Sequence, residues 1–316
     1  MRIGFFLATE EFAPRELLAQ ARAAERAGFH GLWISDHYHP WNEAQGESPF
    51  VWTVLGALAE ATDLPVTTAV TCPTMRIHPA VIAQAAATTA VMFEGRFLFG
   101  VGSGEALNEH ILGDRWPVAE VRLAMLDEAI EVIRLLWSGE TVTHEGRHYR
   151  VEHARLYTLP EAPPPILVSG FGPKAVDLAA RVGDGYCLTM PDRDLISRFR
   201  SGGGGEKLVQ AGIKVCYGPD EREARKTVRR LWPNEGLPGE LAQVLPMPEH
   251  FEQATELVTE EMLAEAVPSG PDLEHHAQAI QEFADAGVDE LYVHQIGGGH
   301  DQFFDAYGRQ ILPRFA

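Results

Sequence analysis

The chain is poor in cysteine. Cys72, Cys187 and Cys216 are the three among 316 residues, odd in number and far apart, which excludes a disulfide framework or a CxxC metal knuckle and leads us to expect a reducing, cytoplasmic setting. Positive charge is short as well: 26 Lys and Arg against 45 Asp and Glu leave a formal net charge of −19. A surface that tracks phosphates needs an excess of cations, so neither nucleic acid nor an anionic membrane is the expected partner. No apolar run approaches the roughly 20 residues that a bilayer-spanning helix requires. The opening MRIGFFLATEEF has one basic residue and a short apolar stretch ending in acids; it lacks the apolar core and cleavage site of a signal peptide and reads as a first strand. No linker or shift in composition divides the chain, so one domain over residues 1–316 is expected.

What is present is a rhythm. Short β-rich apolar runs alternate with segments of helical period: Ile3–Leu7 then Pro14–Ala27, Gly31–Ser35 then Val51–Thr62, Val66–Thr71 then Pro79–Phe93, Phe97–Val101 then Val121–Trp137. Ile166–Ser169 with Lys174–Val182, Tyr186–Thr189, Lys207–Tyr217 with Glu221–Trp232, and Glu290–Gln295 with Asp301–Leu312 continue it. Eight strands separated by helices predict an α/β fold, a (β/α)8 TIM barrel, with an open doubly wound sheet as the alternative. Thr141–Tyr157 alternates polar and apolar residues around Glu145-Gly146 and predicts an inserted hairpin. SGGGG at 201–205 reads as a flexible loop, and the Pro-rich stretch 233–248 as a long excursion of the kind that covers substrates.

Four segments could carry chemistry. Ser35-Asp36-His37-Tyr38-His39-Pro40-Trp41 follows the second strand, where barrel enzymes keep their active sites, and an Asp-His pair suits proton transfer near neutral pH. A capped turn with a structural histidine fits the same residues. His37 and His39, with His294 later, also permit a barrel metallohydrolase, although Pro40 ends the strand and further ligands are missing, so no metal is expected. Gly100–Glu109, GVGSGEALNE, lets backbone approach a flat ligand and stations Glu105 for proton exchange with a ring nitrogen; its GxGxG spacing is not the dinucleotide GxGxxG. Ser169-Gly170-Phe171-Gly172-Pro173 opens a helix and offers free N–H groups to a phosphate, with Thr189 on the same face. Thr67–Thr74 ends the third strand in small side chains, leaving room for a planar ring at Ala69-Val70.

Together these segments resemble the luciferase-like barrel family, in the branch of F420-dependent oxidoreductases typified by F420-dependent glucose-6-phosphate dehydrogenase. EEFAPREL (10–17), SDHYHPW (35–41), HPAVIAQAAAT (78–88), GVGSGEALNE (100–109) and HDQFF (300–304) carry the resemblance, which runs nearly end to end. It implies coenzyme F420 as cofactor, hydride transfer to or from a small organic substrate, and a homodimer. By the same resemblance His37 would be the acid or base for a substrate hydroxyl, Trp41 would line the pocket and Glu105 would manage the proton at the reduced ring. Asp36, Ala69, Val70, Gly104, Asn108, Ser169, Gly170 and Gly172 would bind the cofactor, with Ala69-Val70 as a non-prolyl cis peptide. Thr189 and Gln243 would face the substrate, and His250 stands close enough to replace a histidine that the family has at Gln243.

The departures narrow the substrate. The sugar-phosphate enzymes of the branch hold phosphate with two lysines and an arginine; Asp192, Ala242 and Ala264 stand at those places here. An alcohol, sugar or carbonyl compound without phosphate is therefore expected. Arg76 and Lys174 are candidates for the cofactor's anionic tail. The alternatives are an FMN-dependent luciferase-like monooxygenase and a cofactor-binding protein without catalysis.

Overall fold

The computed structural model describes residues 1–315. Eight parallel strands close a barrel: β1 (Arg2–Leu7), β2 (Leu32–Ile34), β3 (Val66–Thr68), β4 (Phe97–Val101), β7 (Ile166–Ser169), β8 (Gly185–Leu188), β9 (Leu208–Val215) and β10 (Glu290–Gln295), in the order β1-β10-β9-β8-β7-β4-β3-β2. The two strands left out of the ring, β5 (Val142–Glu145) and β6 (Arg150–Ala154), pair antiparallel as the expected hairpin. The (β/α)8 barrel predicted from the rhythm is the fold observed.

Alternation along the strands sorts the core into two shells. Phe5 and Leu7 of β1, Leu32 and Ile34 of β2, and Leu291 and Val293 of β10 pack outward against the helices. Trp33, Leu167, Cys187 and Tyr292 point inward. Trp33 and Tyr292 stack with centroids 5.0 Å apart. Below them the Trp33 indole N–H donates to Gln210 Oε1 at 2.7 Å, and Gln210 Nε2 donates to Glu290 Oε2 at 2.7 Å. Burial would raise the Glu290 carboxyl, but hydrogen bonds from His30, Gln210 and Tyr292 and the Arg2 charge outweigh it and hold the group below the ordinary carboxylate value. This satisfied network plugs the barrel floor, so ligands have access from the other end only.

The first helix, Pro14–Ala27, shows how the outer layer forms. Proline opens it, Glu16 accepts from the Ala13 N–H at 3.1 Å, Leu17, Ala21 and Ala24 at helical spacing are buried, and Gly28 at φ 91° ends it. The structure departs from the sequence reading in three places. Arg200–Gly204 is a wide helical turn continuing the helix Arg193–Phe199, because Arg200 Nη1 ties the carbonyls of Gly205 and Lys207 at 2.8 and 2.7 Å. It leads into the start of β9, at the floor, and cannot cover a site at the mouth. The excursion is longer than 233–248 and mostly helical: Glu221–Leu231, Pro233–Gly236, Leu241–Val244, Pro248–Ala254 and Glu260–Ala264. It leaves from the end of β9 and returns there, where the Cys216 N–H donates to Pro268 O and the Gly270 N–H to Cys216 O, both at 2.9 Å. The helix that then runs back to β10 is Leu273–Ala286, capped by Asp272, and not Glu221–Leu231 as the rhythm suggested.

Candidate active site

The C-terminal ends of the strands gather the polar residues. At the end of β1, Thr9 and Glu10 are clamped to β2 by Ser35: the Thr9 N–H donates to Ser35 Oγ at 2.9 Å, and Ser35 Oγ donates to Glu10 Oε2 at 2.6 Å. The other Glu10 oxygen lies 3.4 Å from His37 Nε2, and Glu105 Oε2 lies 3.9 Å from the same nitrogen. His37 Nδ1 sits 3.2 Å from both His39 O and Asn108 Nδ2, so one tautomer donates to the carbonyl and the other accepts from the amide. Asn108 joins the pieces: its Nδ2 donates to Glu105 Oε2 at 3.1 Å, and its Oδ1 accepts the N–H groups of Tyr38 and His39 at 2.9 and 3.2 Å. Trp41 closes one side of His37, ring centroids 5.1 Å apart, and meets Phe251 of the excursion edge to face.

Asp36 faces another way. Its Oδ2 accepts from Thr71 Oγ1 at 2.8 Å and its Oδ1 from Arg76 Nη2 at 2.7 Å. Arg76 also donates its backbone N–H to Glu109 Oε2 at 2.8 Å, and its guanidinium lies 3.7 Å from the other Glu109 oxygen. All three side chains are at most 6% exposed. Burial pushes the Glu109 carboxyl up to about 7, against the opposing pull of Arg76. Glu109 therefore binds a proton more tightly when folded than unfolded, so its contribution to stability is present below about pH 4.5 and is lost as pH rises to about 7. Denaturation of Glu109→Gln at a series of pH values is expected to show the variant gaining on the parent between pH 5 and 7 and holding a constant difference above that; a difference that does not vary with pH contradicts this reading.

The Asp36 network borders a flat shelf. The Ala69-Val70 peptide is cis, both residues are half-buried, and a Cβ on Gly102 would lie 2.7 Å from Val70 Cγ2. Gly104 has φ 76°, and a side chain there would strike Cys72 Sγ at 2.6 Å. Along the rim, Ser169 ends β7 and Gly172 caps the helix Pro173–Val182 without any side-chain acceptor, leaving that helix's first N–H groups free. Gly170 lies between them, its carbonyl taken by Tyr186 OH at 2.7 Å. A planar ring on the shelf with an anionic tail at the helix start suits these residues.

Other candidates lie elsewhere. His39 turns from His37, its Nδ1 2.8 Å from Leu107 O and its ring stacked on His110. His294 is 2.9 Å from Glu11. Arg76 is too committed to serve an anionic tail, and Lys174 is exposed beside Glu120 at 3.6 Å. Thr189 is exposed directly after β8. Gln243 accepts from Arg122 Nη2 at 2.9 Å. His250 is half-buried, next to the Phe251 that packs on Trp41.

Two residues of the site escaped the sequence reading, Glu10 and Glu11. Glu11 accepts from the Trp232 indole N–H, from His294 and from the Gly297 N–H; burial alone would raise its carboxyl, and these partners together hold it below the ordinary value. Both stand just past the first strand. The strand-end logic that singled out Asp36 would have found them.

The family model of the luciferase-like monooxygenases matches residues 1–290. The chain belongs to that family. Within it, the chain is 38% identical to F420-dependent glucose-6-phosphate dehydrogenase of Microbacterium testaceum (strain StLB037), over 99% of this chain and 97% of that one. It is 37% identical to the enzyme of the same name from Nakamurella multipartita, covering 99% and 96%. Among solved structures, an F420-dependent secondary alcohol dehydrogenase in complex with an F420-acetone adduct superposes with a TM-score of 0.92 at 30% identity, covering 98% of each chain. A coenzyme F420-dependent tetrahydromethanopterin reductase from Methanopyrus kandleri, at 20% identity and a TM-score of 0.80, shares the fold of this luciferase-like chain.

Proposed function

We propose that this chain, an F420-dependent oxidoreductase, exchanges a hydride between coenzyme F420 and an uncharged alcohol or its carbonyl counterpart, with His37 as the group that takes or returns the hydroxyl proton. The observation that carries the reading is the convergence of Glu10, Glu105 and Asn108 on His37 beside the Ala69-Val70 shelf. Coenzyme F420, when bound, supplies the two-electron hydride acceptor or donor. Ala69, Val70, Gly104 and Asn108 would border its ring, and Ser169, Gly170 and Gly172 its phosphate-bearing tail. Asp36 contributes indirectly, by fixing Thr71 and Arg76 behind the shelf.

The protein's own groups perform the proton transfer. Glu10, locked by Ser35, orients His37 Nε2, the nitrogen that faces a substrate hydroxyl, and Asn108 fixes the ring from the Nδ1 side. Trp41 and Phe251 keep water from that face. Glu105, a third exposed, holds a proton-exchanging carboxyl at the shelf edge. Thr189 stays as a rim contact for substrate. Gln243, bonded to Arg122, would act through the position of the excursion.

Titration of F420 against the pure protein tests the cofactor half: a micromolar or tighter Kd is expected. No binding at micromolar F420, or oxygen uptake with reduced FMN in its place, would overturn it. A homodimer and a cytoplasmic location complete the proposal. They are supported by the exposed Val81, Val91 and Met92 of the helix Pro79–Phe93 and by three unpaired, buried cysteines.

A further inference from the structure

β9 carries a cation into the barrel mouth that the proton-transfer cluster does not use. Val209, Ala211, Ile213 and Val215 belong to the outer core, while Gln210 reaches the inward Trp33 and Tyr292. Lys214 is on the Gln210 face, four residues nearer the C-terminal end of the strand, and therefore projects into the mouth. β9 is three places from β2 around the ring, through β10 and β1, so Lys214 and His37 stand on different walls of one opening.

The lysine is held. Its Nζ is 2.9 Å from Glu235 Oε1 and 4.5 Å from the centre of the Trp232 ring, and its side chain is 16% exposed. Trp232 in turn packs against His294, with ring centroids 5.0 Å apart, and donates its indole N–H to Glu11, the neighbour of Glu10. Trp232 and Trp41 share one apolar cluster with Phe251. The wall bearing Lys214 is thus continuous with the wall bearing His37.

An ammonium has three N–H donors. Glu235 takes one and the Trp232 face attracts the charge, which leaves a donor for a ligand oxygen. The charge itself is already matched by Glu235. Arg76 is matched by Asp36 and Glu109, and Arg122, bonded to the Pro117 carbonyl and Gln243, feels the charge of Glu105, whereas Glu10 and Glu105 together bring two carboxylates toward His37. A phosphate or carboxylate entering this field meets net repulsion; a neutral oxygen does not.

We propose that Lys214, held by Glu235, donates a hydrogen bond to a second oxygen of an uncharged, multiply hydroxylated substrate such as a polyol or an unphosphorylated sugar, while the reacting hydroxyl lies at His37. The proposal rests on the F420-dependent reading and adds the substrate class to it.

The test compares propan-2-ol, glucose and glucose 6-phosphate as F420-linked substrates of the full-length protein, Lys214→Met, Lys214→Arg and Glu235→Gln. Glucose is expected to give the highest kcat/KM of the three with the parent. Losing a hydrogen bond to a charged donor raises KM about tenfold or more, so Lys214→Met should show that rise for glucose with kcat and the propan-2-ol KM little changed. Lys214→Arg should recover part of the loss. Glu235→Gln, which uncovers the lysine charge, should lower the KM for glucose 6-phosphate. Tryptophan fluorescence of the cofactor-free protein, titrated with glucose, reads the same subsite through Trp232 and should lose its response in Lys214→Met. In a parent that binds F420, preference for glucose 6-phosphate, failure to oxidise glucose, or equal effects of Lys214→Met on both uncharged substrates each overturns the proposal, and so does a fluorescence response untouched by that substitution. A parallel F420 titration separates the two readings: failure to bind F420 sinks the proposed activity, and the fluorescence result alone then decides the subsite.

Discussion

His37→Ala is expected to lower kcat by roughly 10²–10⁴-fold, the range that a positioned general acid or base contributes, while the Kd for F420 changes little. The separation follows from the geometry. His37 lies between Glu10 and Asn108 at the substrate side of the cluster, while the shelf is built from Ala69, Val70 and Gly102, and the anion-complementary helix start lies at Gly172. His37→Gln, similar in bulk but unable to exchange a proton near neutral pH, should lose nearly as much. Glu10→Gln keeps an acceptor for Ser35 and should lose less. Equal activity of His37→Ala and the parent in steady-state assays would remove His37 from the chemistry. A fall in F420 affinity matching the fall in kcat would turn it into a cofactor ligand.

The second large effect is on stability. Asp36→Ala leaves Arg76, 6% exposed at its side chain, with Glu109 as its one remaining carboxylate partner. Removing one member of a buried ion pair costs about 3–5 kcal/mol when the surviving charge is stranded; with Glu109 still beside Arg76, the loss is expected at the lower end of that range. Arg76→Met should be costly for the mirror reason, since it strands Asp36 and Glu109 together. The double variant Asp36→Ala/Arg76→Met should lose clearly less than the sum of the two, because contacting residues couple. Urea denaturation of the three variants measures this; strict additivity, or a loss under about 1 kcal/mol for Asp36→Ala, would show that the pair is not held as the geometry indicates.

The barrel was legible in the sequence because its strands are short apolar runs at near-regular intervals separated by segments of helical period, and both patterns are local. The same was true of the hairpin, where alternation around Glu145-Gly146 is local. The excursion was not. Its turns, Pro233–Gly236 and Leu241–Val244 among them, are single helical turns too short to show a period, and its boundary is a pair of hydrogen bonds between Cys216 and the 268–270 segment, which no local pattern encodes. For the same reason the first helix after β9 was taken as the barrel helix in place of Leu273–Ala286. At the site, sequence located His37, Trp41, Glu105 and Asn108 on the ends that converge. The direction in which Asp36 and His39 point depends on partners 35 to 68 positions away, Thr71, Arg76 and Leu107, and became visible once the chain was folded. The predicted cis peptide at Ala69-Val70 is present, a feature that came from resemblance and not from any physical signal in those two residues.

The central claim is hydride transfer between F420 and an uncharged alcohol, and isotopic labelling tests it most directly. Oxidised F420 incubated with the protein and propan-2-ol carrying deuterium on its central carbon, in ordinary water, should give reduced cofactor bearing one deuterium by mass spectrometry, with acetone as the other product. Reduced cofactor without the label, or no reduction at all with this alcohol or with similarly labelled glucose, would contradict the account.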